Sequence, residues 1–224
     1  VNLELNPYEI KDLCRGKLTK YLIRAVSCLP SYSNPLILDI GCGSGVPSLI
    51  LSQYFGSTVY AVDINEEALN VLKKNASVKG LSDKIKTINK SVFEMDFTGT
   101  LFDIVIAEGL LNIIGFETGL LLSGKYLKNK GFLIIHDEYV NHDKKTEIIR
   151  EYGYRIINSV LLDENVWWID YYKCMEKMLL QLDEETRLTK FRNELAEIKQ
   201  YKKHPASFRS VYYVLLQDSG AANF

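Results

Sequence analysis

The residues best suited to chemistry stand together in Leu38-Asp39-Ile40-Gly41-Cys42-Gly43-Ser44-Gly45. Glycines at every second position follow an apolar run and open an apolar helical pattern. Without Cβ atoms the backbone can turn sharply and let a ligand come close. The start of the next helix points free N–H groups at that ligand. About twenty residues on, Asp63 ends the following apolar run, and a carboxylate there can accept hydrogen bonds from both hydroxyls of a ribose. Turn, context and acid together predict an adenosine-containing ligand. The alternative is a tight turn whose glycines serve packing only.

The elements that must position these residues are short. Apolar runs at 36–40, 58–64, 85–88, 102–107 and 132–136 predict buried strands. Helical patterns lie between them. Asn65 caps one, with Glu66 and Glu67 in its first turn and Gly80 stopping it, and Pro47 falls in the first turn of another. Strands alternating with helices imply parallel βαβ units and a sheet covered on both faces. The C-terminal third differs. Residues 165–182 form a helical pattern carrying Trp167, Trp168, Tyr171, Tyr172, Met175 and Met178. Residues 184–203 place Leu188, Phe191, Leu195 and Ile198 at helical spacing, with charges of both signs elsewhere. Residues 211–216 read as a closing strand. With no repeat and no Pro/Gly linker, the expectation is one domain over 1–224. Within it, 1–30 form an N-terminal helical cover, 36–140 a cofactor-binding core, and 165–203 a helical insertion over the substrate.

Composition sets outer limits. The 224 residues include 27 Lys plus Arg against 28 Asp plus Glu, a formal net charge of -1. That balance speaks against a strongly basic nucleic-acid binder and an acidic disordered chain. Cys14, Cys28, Cys42 and Cys174 lack the spacing of a zinc knuckle or a paired redox motif, so they are expected to be reduced thiols. No apolar run has membrane-spanning length. The N-terminal Glu4, Asn6, Pro7 and Glu9 do not make a signal peptide, and a start at Val1 suggests processing or trimming. A soluble cytoplasmic protein, monomeric or homodimeric, binding no metal and no nucleic acid, is the expectation.

The glycine spacing separates two adenosine cofactors. A dinucleotide fingerprint needs Gly or Ala at the sixth position from Gly41, where Val46 stands. Gly-x-Gly-x-Gly with Asp39 two residues ahead resembles the class I S-adenosylmethionine-dependent methyltransferases. Asp63-Ile64 is similar to the family's ribose-binding acid and the apolar residue beside adenine. Residues 101–109 and 126–135 are similar to its fourth strand and its turn into the fifth. Within that superfamily the chain most resembles small-molecule methyltransferases of the ubiquinone/menaquinone-biosynthesis-like group. Glu108-Gly109-Leu110-Leu111-Asn112-Ile113-Ile114-Gly115-Phe116-Glu117 and Trp168-x-x-Tyr171-Tyr172-x-x-Met175-Glu176 are similar to one subgroup with unassigned substrates. The resemblance implies an α/β, Rossmann-like, doubly wound and mostly parallel seven-stranded sheet. Its last strand would be antiparallel, with a helical insertion before it. It also implies an S-adenosyl-L-methionine site built from Asp39, Gly41, Cys42, Gly43, Gly45, Asp63, Ile64, Ser91, Val92, Phe93 and Glu108, with Arg15 reaching the cofactor carboxylate. One departure stands out: many relatives carry an acid where this chain has Ser91, and Asp96 lies further on.

Methyl transfer from a sulfonium requires alignment and, for some acceptors, a base. The expected catalytic residues are Glu108 and His136, with Glu138 and His142 as further candidate bases near strand ends. A core role for His136 is the alternative reading. Trp168, Tyr171, Tyr172 and Tyr139 are the expected substrate residues, with Trp167, Trp168, Tyr171 and Tyr172 making an aromatic wall against water or, alternatively, ordinary core packing. A small-molecule acceptor is the partner expected. A nicotinamide-dependent oxidoreductase and a non-catalytic cofactor-binding relative are the competing readings.

Overall fold

Ile37–Ile40 forms β1, and all four of its side chains are buried, as a strand covered on both faces requires. The computed structural model describes residues 6–217. Residues 1–5, with Glu4 and the beginning of the expected N-terminal cover, lie outside the described residues, as do 218–224. The strand β2 (Val59–Asp63) pairs parallel with β1 and with β3 (Ile85–Asn89). On the other side of β1, β4 (Phe102–Glu108) and β5 (Leu127–Glu138) continue the parallel array. The last strand, β7 (Ser210–Gln217), runs antiparallel between β5 and β6 (Tyr154–Leu162). The order is β3-β2-β1-β4-β5-β7-β6, the doubly wound, mostly parallel seven-stranded sheet with an antiparallel last strand that was expected. Strand order reverses between β1 and β4, and such a sheet binds ligands beyond its strand ends at that reversal.

Helices cover both faces. α1 (Pro7–Arg15), α2 (Thr19–Val26), α3 (Val46–Phe55) and α4 (Glu66–Val78) pack one face through Ile10, Leu22, Leu49 and Leu72. α5 (Leu111–Ile114), α6 (Phe116–Gly124) and α7 (His142–Glu151) pack the other through Leu111, Leu120 and Ile149. The Asn65 side chain accepts from the Ala68 N–H, so it caps α4 as its residue type predicts. Gly80, at φ +67°, lies just past the end of α4.

The structure departs from the sequence expectation in four places. β5 begins at Leu127 rather than near Phe132, because Lys130 at φ +61° lets residues 128–131 bulge out while Leu127 still pairs with Phe102. β6 carries Arg155, Asn158 and Ser159, so no continuous apolar run announces it. The pattern over 165–182 is not one helix. α8 (Glu164–Trp167) passes into a π-helical turn at Trp168–Tyr172 and then α9 (Lys173–Leu179), where the Lys173 N–H reaches back to the Trp168 carbonyl. Residues 184–203 likewise divide, at fully buried Phe191, into α10 (Glu184–Lys190) and α11 (Arg192–Lys203). α8 through α11 all lie between β6 and β7 in the chain. Two buried acids tie them to the N-terminal helices: Lys20 and Tyr21 donate to Asp170, and Lys11 pairs with Glu194. No helix among the described residues is long and apolar enough to cross a membrane.

Candidate active site

The loop after β1 uses its glycines unequally. Gly41, Gly43 and Gly45 all have positive φ, which only glycine adopts without strain. A Cβ on Gly45 would come to 2.2 Å from Leu72 Cδ1, so that glycine serves close packing of α4. A Cβ on Gly43 would meet nothing within 4 Å, so that glycine faces open space. Asp63 holds the loop in place. Its Oδ2 accepts from the Gly43 N–H at 2.7 Å and its Oδ1 from the Asn65 N–H at 2.8 Å. Each oxygen keeps a second lone pair. Beside it, Ile64 is 73% exposed and Phe93 62% exposed, an apolar pair without cover. Ser91 accepts from the Phe93 N–H and starts the single turn Val92–Glu94.

Beneath the loop, Asp39 is buried. Its Oδ2 accepts from the Ser48 hydroxyl at 2.5 Å, while its Oδ1 has no partner. Burial pushes its pKa up to about 7 against the opposing Ser48 hydrogen bond, and the negative charges of Glu108 and Asp63 add to the rise. Cys42 is also buried, and its thiol is pushed up by that burial.

α1 lies across the loop from end to end. The Tyr8 hydroxyl accepts from the Asn65 side chain at 2.8 Å, and Asp12 accepts from the Ser44 hydroxyl at 2.5 Å. At its C-terminal end Arg15 pairs with Glu108. The ends of three strands meet there. Register places Glu108 beside His136, and His136 beside Tyr212, in one row across β4, β5 and β7. The Tyr212 hydroxyl donates to Glu108 Oε2 at 2.9 Å, and His136 Nδ1 lies 3.7 Å from Glu108 Oε1. The His136 ring stacks on Tyr212 with centroids 4.0 Å apart and lies nearly parallel to Trp167. Its Nε2 is 2.9 Å from Ser210 Oγ, which also accepts from Trp167 Nε1 at 3.1 Å. With Nδ1 toward a carboxylate, the proton belongs there, and Nε2 is left to accept from Ser210.

Burial alone would raise the Glu108 pKa, but the Arg15 charge, His136 and the Tyr212 hydroxyl outweigh it and hold it at about 2. Glu108 is therefore a fixed anion beside the His136 ring. Tyr212 is pushed well up by burial and by Glu108, so it stays a donor.

The other expected residues divide. Tyr171 and Tyr172 are buried in the core behind Trp167, and burial raises both phenols. Trp168 turns the other way. It stacks on Tyr201 and lines an outer cavity of about 270 Å3 with Glu164, Asn165, Lys202 and Pro205. Tyr139 stacks on His142, whose Nδ1 meets the Tyr213 hydroxyl, and Arg209 lies over the Tyr139 ring. Lys145 bonds the Glu138 carbonyl. Sequence reasoning passed over Ser210, Tyr212 and Asp12. Only alternation in the closing strand hinted that Ser210 and Tyr212 share a face.

A reversing parallel sheet with a glycine loop, a ribose-type acid and an antiparallel last strand defines the Rossmann-like class I methyltransferase architecture. Residues 32–178 match the family model for a methyltransferase domain, and the chain belongs to that family of enzymes. S-adenosylmethionine is the cofactor of this class, and the residues present fit it. The open side of Gly43, the remaining lone pairs of Asp63 and the uncovered Ile64 and Phe93 follow the ends of the adjacent strands β1, β2 and β3, above the unpartnered Asp39 oxygen. Ribosomal protein L11 methyltransferase from Acetivibrio thermocellus is 26% identical over 190 residues, 79% of this chain and 54% of that one. The chain spans about half or less of the length of the curated relatives it matches. Among solved structures, an S-adenosylmethionine-dependent methyltransferase from Geobacter sulfurreducens, in complex with S-adenosyl-L-homocysteine, superposes with TM-score 0.67 at 17% identity, covering 95% of this chain and 99% of that one. The [4+2]-cyclase SpnF superposes with TM-score 0.76 at 14% identity, covering 90% and 82%. Both likenesses are of fold.

Proposed function

We propose that this chain transfers a methyl group to a small, partly apolar acceptor held between Glu108, His136 and Trp167. The observation that carries this reading is the enclosure of the Glu108–His136–Tyr212 row by α1 and the aromatic residues of 167–172. When bound, S-adenosylmethionine supplies a methyl group already activated on a sulfonium. The chain's own residues bind, orient and exclude water. Asp63 offers its remaining lone pairs to the ribose hydroxyls, Ile64 and Phe93 sandwich the base, and Ser91 and Val92 meet its edge. Arg15 and Glu108 present a cation and an anion, complementary to the zwitterionic amino-acid end. His136 draws the acceptor's proton through the Ser210 hydroxyl that donates to its Nε2, while Glu108 fixes its tautomer. Trp167 forms the acceptor wall, with Tyr171 and Tyr172 packed behind it.

A protein acceptor is the second reading, because relatives include proteins named for methylating ribosomal protein L11. The two separate in one experiment. The protein is incubated with methyl-labelled S-adenosylmethionine and, in parallel, a panel of small phenols, thiols, amines and quinols, ribosomal protein L11, and total RNA. Label in the small-molecule fraction is expected. Label confined to protein or RNA would overturn the small-acceptor reading.

A further inference from the structure

The fold brings together two thiols that the sequence keeps 160 residues apart. Cys14 Sγ on α1 lies 2.7 Å from Cys174 Sγ on α9, closer than ordinary contact between unbonded sulfurs. Both are free thiols; Cys14 is buried and Cys174 half-buried. Their place in the fold gives the contact its interest. Cys14 precedes Arg15, which reaches Glu108, and follows Asp12, which holds Ser44 of the glycine loop. The same helix meets Asn65 through Tyr8. α1 therefore spans the cleft from the ribose acid to the row at Glu108, and a ligand entering along that length must displace it. α9 belongs to the segment that walls the far end.

We propose that Cys14 and Cys174 form a reversible disulfide that locks α1 to α9 and so gates cofactor exchange. The oxidant is a small disulfide of the glutathione type. Cys174, the more accessible thiol, attacks as thiolate, breaking the oxidant's S–S bond and forming a mixed disulfide, and its proton leaves with the first released thiol. Cys14 then attacks the Cys174 sulfur, forming the internal bond, and its proton leaves with the second released thiol. The two protein sulfurs are oxidised and the small disulfide is reduced to two thiols. Burial and the neighbouring Cys174 push the Cys14 thiol up, so Cys174 reacts first. Cys28, exposed but bonded only to the Ala25 carbonyl, is an internal control.

The gate rests on the cofactor reading above, whereas the cross-link does not. The test treats the folded protein with glutathione disulfide, alkylates remaining thiols, digests it and identifies linked peptides by mass spectrometry. A Cys14–Cys174 link is expected, with Cys28 carrying only glutathione. Hydrogen exchange should slow across α1 in the oxidised form. S-adenosyl-L-homocysteine should dissociate roughly tenfold more slowly, as for a closed lid, and recover on reduction. Cys174→Ser should abolish all three effects. Modified Cys28 without the link would overturn the proposal. A link that leaves α1 exchange and ligand release unchanged would overturn the gate. Failure of the reduced protein to bind S-adenosyl-L-homocysteine would overturn the cofactor reading and the gate with it, leaving the cross-link to be judged on its peptide.

Discussion

Asp63 carries two duties with one carboxylate. One lone pair on each oxygen fixes backbone, at Gly43 and Asn65, and the other stays available to a ribose. Removing the side chain therefore loosens the glycine loop as well as deleting the acceptor. Asp63→Ala should weaken binding of S-adenosyl-L-homocysteine by about 2 kcal/mol, roughly thirtyfold, as titration calorimetry would read it. Unchanged affinity would show that the acid acts on the loop alone. Glu108 is a residue of another kind. Held as an anion by Arg15, it cannot serve as a base near neutrality, so the proposed mechanism assigns that part to His136.

At the scale of elements, α1 buries Ile10 and Cys14 in the core and adds polar contacts to the glycine loop, Asn65 and Glu108. Asp12→Ala removes the acceptor for Ser44, and should speed hydrogen exchange across Pro7–Arg15 while leaving β1–β4 protected. The cost to global stability should be only about 1 kcal/mol, and equal speeding throughout the sheet would contradict a separately opening cover. The π-helical turn gives the aromatic residues distinct roles. Trp167 faces His136, Trp168 faces Tyr201, and Tyr172 is enclosed by Trp167, Tyr171, Tyr201 and Phe208. Tyr172→Ala should consequently lower unfolding stability by ~3 kcal/mol. Trp168→Ala, on the outer cavity, should cost less than half as much in the same denaturant titration.

For the whole molecule, two buried carboxylates impose opposite pH dependences. Glu108 has its folded pKa held at about 2, below its ordinary 4.5. Its stabilising contribution is complete above about pH 4.5 and is lost as pH falls toward 2. Asp39 has its pKa raised from 3.8 to about 7. The folded state therefore holds a proton that the unfolded state releases, and stability declines as pH rises from about 4 through 7. These groups together predict a thermal midpoint that rises on leaving acid and sags toward neutrality. Asp39→Asn should remove the sag and stabilise the protein at pH 8 by on the order of 2 kcal/mol. Circular-dichroism melts of both proteins across pH 3–8 would check this, and parallel curves would disprove the assignment.

The local features of this protein were legible in its residues. Gly41, Gly43 and Gly45 mark a turn because glycine alone adopts their φ values without strain, Asn65 announces a cap, and the runs around β1, β2 and β4 are apolar because both faces are covered. Such signals act within a few residues, so spacing alone carries them. The row at the far end of the cleft was decided otherwise. Glu108 and His136 could be named from their strands. Ser210 and Tyr212, 74 residues from His136 and 104 from Glu108, join them only because β7 inserts antiparallel between β5 and β6 and fixes which residues stand side by side. The opposite facings of Trp167 and Trp168 follow from a backbone turn that widens around its packing. The meeting of Cys14 with Cys174 follows from α1 and α9 docking on one face. Register, helix phase and docking are properties of contacts between distant segments, and they exist only once the chain has folded.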